Sequence, residues 1–420
     1  MAATIDLIVR NGYLTREDAM VDVAIDNGQI ETVTPDLTAD AARELDADGG
    51  VLSPGLVDAH FHTDMALAAA GDRFPNYNEG TLGKEELVGK SREFFSNESV
   101  GDLKSRIRRA AERAVRNGVL HMRNHVYVDS IVGTKVVEAT LEVRDELRDV
   151  IDMQIVAFPQ QGFLRDPGSQ DAAREALDMG ADLVGGIDPA SMNNDVETTI
   201  DTWFDIATDH DVDVDAHVHD RGTIGMYTLE RLAEKTVERG YEGRVTAGHC
   251  FALADAAGGG ADYLDGRLES ALGKFSAADL NVVTCYQSTR PSMPIRQFHD
   301  NGLVMAHGTD EAQDVWESHG NLNSLEAMLV ASLKLRLDSG RQWGTNEGLA
   351  SLWRLITTEG AAVLGIGDDY ALRPGTPADL VVHAAPSPQS AIIENAAPRY
   401  VVKDGRVVAE TERSHTSGIG

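Results

Sequence analysis

The chain has 420 residues with 37 basic and 68 acidic side chains, a formal charge of −31. Such a field repels phosphate backbones and anionic lipid, so nucleic acid and membrane surfaces are excluded as expected partners. Apolar residues reach 42% but aromatics only 5%, so a large core has to be built from Val, Leu, Ile and Ala.

Ile5-Asp6-Leu7-Ile8-Val9 reads as a strand, with no basic-then-apolar leader before it. Residues 1 to 52 continue as short alternating strands, with hairpin-type dipeptides at Asn11-Gly12 and Asn27-Gly28. From there apolar runs of strand length recur at 56–61, 119–126, 151–158, 182–187, 212–218, 244–248, 280–285 and 303–307. Helical stretches separate them. In 100–116, Leu103, Ile107, Ala110 and Ala114 fall on one face, and 171–179 is ended by Gly180. Eight strands alternating with helices is the pattern of an α/β protein with a (β/α)8 TIM-type barrel, expected over 53–364. Short strands return at Ala378–Val382 and Tyr400–Val402, with a turn at Asp404-Gly405. They predict a small β-sandwich domain formed by both termini, 1–52 and 365–420. Gly258-Gly259-Gly260 lacks the Lys-Ser/Thr of a phosphate loop and reads as a flexible loop near the site. The polar tail 411–420 is expected to fray.

Two cysteines, Cys250 and Cys285, are too few for a disulfide framework and suit a reducing compartment. No apolar run reaches membrane-spanning length. A cytoplasmic homo-oligomer is expected. The dispersed acid and scarce lysine suit either an ordinary acidic enzyme or a halophilic one.

In a barrel of this kind, reactive residues sit at the C-terminal ends of the strands. The first strand ends in His60-Phe61-His62, whose two imidazoles share a face because strand side chains alternate. The fifth ends in His217-Val218-His219-Asp220, the sixth in His249, and the eighth runs into Gly308-Thr309-Asp310. His60, His62, His217 and Asp310 make three imidazoles and a carboxylate. That donor set suits one divalent ion, Zn²⁺ or Fe²⁺, with a position left for water. Asp310 would accept a proton, and His249, His219 and Asp220 are the other candidate catalytic groups. Glu311 and Trp316 follow the last strand and are placed at the pocket mouth. His121 and His125, four apart on the second strand, are read as one packing residue and one at the site edge. Cys250 is expected to point away from the pocket.

The stretch Pro54-Gly55-Leu56-Val57-Asp58-Ala59-His60-Phe61-His62, with His217, His249 and Asp310 in that order, resembles the amidohydrolase superfamily over nearly the whole chain. Pro75-Asn76-Tyr77-Asn78, His121-Met122-Arg123-Asn124-His125-Val126, Ile151 to Gln160 and Arg244 to His249 resemble its cytosine deaminase branch. The resemblance implies a hydrolytic deaminase that attacks an amino-bearing carbon of a pyrimidine-like heterocycle and releases ammonia. It implies one metal, since 181–188 lacks a bridging lysine, and it gives Gln160 the role of binding the ring. Where that branch has a glutamate, this chain has Asp220. The pattern of Asp188, His219 and Asp220 is closer to s-triazine N-alkylaminohydrolases of the isopropylammelide type, although Thr63-Asp64-Met65 lacks their charged residue. Asp188 is then a second ring-binding candidate. A cyclic amide hydrolase is a further alternative, weakened by the missing lysine.

Overall fold

The computed structural model describes residues 5–69, 83–258, 264, 266–286 and 291–411. The Pro75–Asn78 motif, Gly259-Gly260 and residues 412–420 lie outside them. The first four strands, β1 (Ile5–Leu14), β2 (Ala19–Asp26), β3 (Gln29–Thr34) and β4 (Ala41–Asp46), form a sheet in the order β3-β2-β1-β4. Asn27-Gly28 is a two-residue turn between Asp26 and Gln29, with both φ angles positive at 49° and 79°. Asn11-Gly12 is not a turn. It is a bulge inside β1, which pairs with β2 on both sides of it. A bulge demands the same left-handed residue that a hairpin does, and Asn11 supplies it at φ 57°. Gly12 serves close approach instead: a Cβ there would lie 2.5 Å from Leu52 Cδ1.

β5 (Leu52–Pro54) leaves this sheet and pairs antiparallel with a strand from the other end of the chain. The barrel follows as β6 (Leu56–Phe61), β7 (Val119–Tyr127), β8 (Asp152–Phe158), β9 (Leu183–Ile187), β10 (Asp213–Val218), β11 (Val245–His249), β12 (Asn281–Thr284) and β13 (Met305–His307). All are parallel and neighbour one another in chain order. Their residues are almost all buried, as strands covered on both faces must be. The covering helices are α1 (Lys84–Asn97), α2 (Val100–Arg116), α3 (Lys135–Leu147), α4 (Ser169–Asp178), α5 (Val196–His210), α6 (Gly222–Arg239), α7 (Phe251–Ala257), α8 (Arg267–Ala278), α9 (Ile295–Asp300) and α10 (Ser324–Asp338). No helix among the described residues is long and apolar enough to cross a membrane.

The last strands, β14 (Leu380–His383), β15 (Pro398–Lys403) and β16 (Arg406–Glu410), complete a second sheet in the order β16-β15-β14-β5. The two ends therefore build two sheets, and β5 carries the N-terminal end into the second. They bury Leu7, Val9, Val23 and Ile25 against Leu380, Val382 and Val402 in a common core.

Inside the barrel, Arg123 spans the interior, donating to Asp215 at 2.9 Å, Gln154 at 3.0 Å, Thr246 at 3.1 Å and the Val363 carbonyl at 2.8 Å. On the outside, Gly186 of β9 lies against the fully buried Trp203 of α5, where a Cβ would come within 2.1 Å of the indole. Gly186→Ala is expected to lower unfolding stability by about 1–3 kcal/mol through overpacking, read from the urea midpoint. An unchanged midpoint would mean that β9 and α5 do not meet this closely.

Candidate active site and metal centre

Five histidines converge at the C-terminal end of the barrel. His60 leaves β6 pointing inward, and His62 follows one residue past the strand; His217 ends the inward row of β10, and His249 closes β11. His62 Nε2 lies 3.1 Å from His217 Nε2, and Asp310 Oδ1 is 3.6 Å from His60 Nε2 and 3.7 Å from His62 Nε2. The ring of His60 is 4.4 Å from that of His217 and 4.8 Å from that of His249. Burial, then mutual repulsion, holds His60 and His217 well below the ordinary imidazole pKa, so they are neutral. Both ring nitrogens of His60 and Nδ1 of His217 are buried without a hydrogen-bond partner. Neutral imidazoles with lone pairs turned toward one another beside a carboxylate are poor company in the absence of a cation and fit a borderline divalent ion.

The sequence reading set one of His121 and His125 at the site edge without choosing between them; the fifth histidine is His125, and it lies deeper than the edge. His125 is fully buried in the middle of the cluster, its ring 4.0 Å from His60 and 4.7 Å from His217. One nitrogen each of His60, His62, His125 and His217 lie within 4.8 Å of one another. Nε2 of His125 is 3.2 Å from Asp215 Oδ1, and Asp215 is itself held by Arg123. The signal was available: 121, 123 and 125 share a face, and parallel pairing of β7 with β6 sets Phe61 against Asn124, level with the ligands. His121 is at the other end of the same row, paired with Asp152 at 3.1 Å.

Asp188 reaches the site with both oxygens engaged. Oδ1 accepts the backbone N–H of His219 at 2.6 Å and of Asp220 at 3.1 Å. Oδ2 accepts His219 Nδ1 at 2.8 Å and Lys84 Nζ at 2.8 Å. This arrangement orients His219 and leaves little of Asp188 for a substrate ring, which departs from the sequence expectation. Lys84, at the start of α1, was not foreseen. It brings a cation to this corner from a different element than the one where Met65 stands. Asp220 accepts from Ser191 N at 3.2 Å and lies 3.9 Å from Lys84, so its carboxylate is turned to that corner too. The ring of His219 stacks on His249 with centroids 4.0 Å apart.

Beside His62 is a narrow slot of about 10 Å³, bounded by Phe158, Gln160, Glu311 and Trp316. That is room for about one water in this state. Gln160 Oε1 is buried there without a hydrogen-bond partner, while the Trp316 indole donates to Ser91. A larger hollow of about 720 Å³, walled by Leu52, Trp343, Trp353 and Tyr370, shares no residue with the histidine cluster. Cys250 is buried with its thiol toward the Ala247 carbonyl, and burial pushes its pKa up. Backbone φ is positive at Asp188 (27°), His249 (68°) and Asp310 (64°), three strand ends that turn sharply to aim a side chain.

The amidohydrolase family model matches residues 43–409, and the chain belongs to that family, whose members named as aminohydrolases and deaminases act on C–N bonds. It is 39% identical over 412 residues to the N-isopropylammelide isopropyl amidohydrolase of Pseudomonas sp. (strain ADP), covering 98% of this chain and 99% of that one. Among solved structures, the N-isopropylammelide isopropylaminohydrolase from Burkholderia multivorans superposes with a TM-score of 0.86 at 28% identity, over 97% of this chain and 99% of that one. The 5-methylcytosine deaminase from Klebsiella pneumoniae, liganded with phosphonocytosine, gives 0.84 at 25% identity, over 98% and 100%.

The Asp188 corner is testable through stability. Burial alone would raise the Asp188 carboxyl, but His219 and Lys84 pull it from 3.8 to about 2. A carboxyl depressed on folding contributes above its unfolded pKa and loses that contribution as pH falls through its folded one. The fall corresponds to about 2 kcal/mol. Asp188→Asn is expected to be less stable than the parent by about that amount at neutral pH, with the gap closing between about pH 4 and pH 2. A gap independent of pH would show that charge is not what Asp188 contributes.

Proposed function

We propose that this protein removes an alkylamino group from a ring carbon of an s-triazine, an aminohydrolase reaction of the isopropylammelide type. The observation that carries it is the His60–His62–His217–Asp310 cluster, with the Asp188–His219 pair set against its edge. Similarity to two proteins named for that reaction supports the choice of ring. Deamination of a pyrimidine-like ring with release of ammonia is the second reading. It is favoured by Gln160, whose open Oε1 faces the slot, and by similarity to a 5-methylcytosine deaminase.

His60, His62, His217 and Asp310 would hold one Zn²⁺ or Fe²⁺. When bound, the ion supplies a water that is nucleophilic at neutral pH. Asp310, within 3.7 Å of both His60 and His62, takes up a proton from that water. His249 donates a hydrogen bond to the oxygen that develops on the attacked ring carbon. His219, its Nδ1 fixed by Asp188, would hand a proton from its other nitrogen to the departing amine and regain one from solvent, to which Asp310 returns the proton it took up. Gln160 accepts a ring N–H, and Phe158 and Trp316 flank the ring faces, with Glu311 at the rim. Asp220 steadies the Lys84 corner and takes no proton. The dispersed acidic charge of the chain suits a salt-rich cytoplasm.

The test is metal analysis of the purified chain, followed by assays of isopropylamine release from isopropylammelide and of ammonia release from cytosine. The expectation is about one ion per chain and loss of activity in chelator, restored by Zn²⁺ or Fe²⁺. Asp310→Asn is expected to lower kcat by about 10²–10⁴-fold. A higher kcat/KM for cytosine would favour the pyrimidine reading, and full activity in strong chelator would overturn both.

A further inference from the structure

We propose that the chain carries a second, thiophilic cation position on His249, Cys285 and Asp310, next to the first, and that filling it inhibits the enzyme. One ligand atom each from His60, His249, Cys285 and Asp310 lie within 4.8 Å of one another. These residues come from β6, β11, the end of β12 and the turn after β13, which are consecutive staves of the barrel wall. The imidazole group of His60, His62, His125 and His217 is drawn instead from β6, β7 and β10. His60 is the member common to both, so two donor groups flank it on opposite sides.

Burial of a cysteine is by itself ordinary packing. Cys250 illustrates that case: its Sγ lies 3.4 Å from the Ala247 carbonyl and 3.7 Å from the Gly248 carbonyl, and it belongs to no donor group. Cys285 is equally buried, but its sulfur faces an imidazole and a carboxylate. His249 and Asp310 are 1% and 2% exposed, so a cation there would be shielded from water on most sides.

Thiolate with imidazole and carboxylate selects Zn²⁺, Cd²⁺ or Co²⁺ over Mg²⁺ or Ca²⁺. Donors around one tetrahedral Zn²⁺ stand roughly 3.5 Å apart, so shifts on the order of 1 Å would gather this group. On binding, the Cys285 thiol gives its proton to solvent and its sulfur becomes a ligand. Asp310 offers one oxygen to each ion, and His60 stays with the first. His249 and Cys285 are the ligands that the second ion holds alone. The inhibition rests on the proposed role of His249 in the reaction; the ion count does not.

The experiment titrates the chelator-stripped full chain with Zn²⁺ and with Co²⁺, in the parent and in Cys285→Ser and Cys285→Ala. Bound ions are counted by equilibrium dialysis and amine release is followed in parallel. In the parent, one ion should restore activity and a second, weaker ion should suppress it by about tenfold or more. A thiolate-to-Co²⁺ absorption band should appear only with the second equivalent. Both variants should keep their activity at one equivalent, bind the second ion about 10–100-fold more weakly and lose the band. Binding of a single ion, a sulfur band on the first equivalent, or variants that bind the second ion as tightly as the parent would each overturn the proposal. If the variants fail to fold, the Co²⁺ titration of the parent decides. If no heterocycle is turned over, the ion count and the band still decide, and that failure belongs to the proposed function.

Discussion

The barrel is closed by backbone bonds made at the candidate metal site itself. Asp310 N donates to the His60 carbonyl at 2.8 Å, and His62 N donates to the Asp310 carbonyl at 3.0 Å. These bonds zip the turn after β13 onto β6, where Phe61 and Asp310 form a parallel bridge. Closing the sheet and placing an acid between two imidazoles are therefore the same event. A barrel has no free edge once this seam forms, and the seam fixes His60, His62 and Asp310 relative to one another with no loop freedom left to spend. Below it, Asp58 accepts from the backbone and hydroxyl of Thr309, locking the residue before Asp310. Asp58 is fully buried, and that burial lifts its carboxyl to about 7.

The second constraint is what lies under the cluster. Arg123, Asp215 and His125 form a buried polar layer across the barrel. A guanidinium in such a place needs its partners, and here it uses Asp215, Gln154, Thr246 and a carbonyl from beyond the barrel. Asp215 shares its face of β10 with His217, so the layer that fills the barrel also sets the height of a ligand strand. Packing and chemistry occupy alternate rungs of the same inward rows: 121, 123 and 125 on β7, 213, 215 and 217 on β10.

This alternation explains what could be read in advance. The eight strands were legible because each is a short apolar run, and the observed limits differ from the expected ones by only a residue or two at most strands. His60, His62, His217 and Asp310 were legible because each lies within three residues of the end of such a run. His125 was not told apart from His121 because both lie on one inward row of the same run, and spacing alone does not say which of the two reaches the cluster. Asn11-Gly12 was misjudged because turn and bulge ask the same backbone of the same residues. Lys84 could not be foreseen from spacing: it meets Asp188 from a separate helix, 104 positions away in the chain. Contacts of that kind depend on how α1 docks, which no local pattern states.

The charges are distributed by the same economy. The surface is acidic, yet the innermost group is a set of neutral imidazoles whose own protonation burial forbids. Protons are thus kept off the candidate ligands, and the two carboxylates beside His219 each have a donor: Asp188 has His219 and Lys84, Asp220 has Ser191. A neutral ring entering such a site meets little net field until charge develops on it. In the proposed reaction, His219 and His249 would then act without having to reorganise, because the backbone turns at Asp188, His249 and Asp310 already fix where these side chains point.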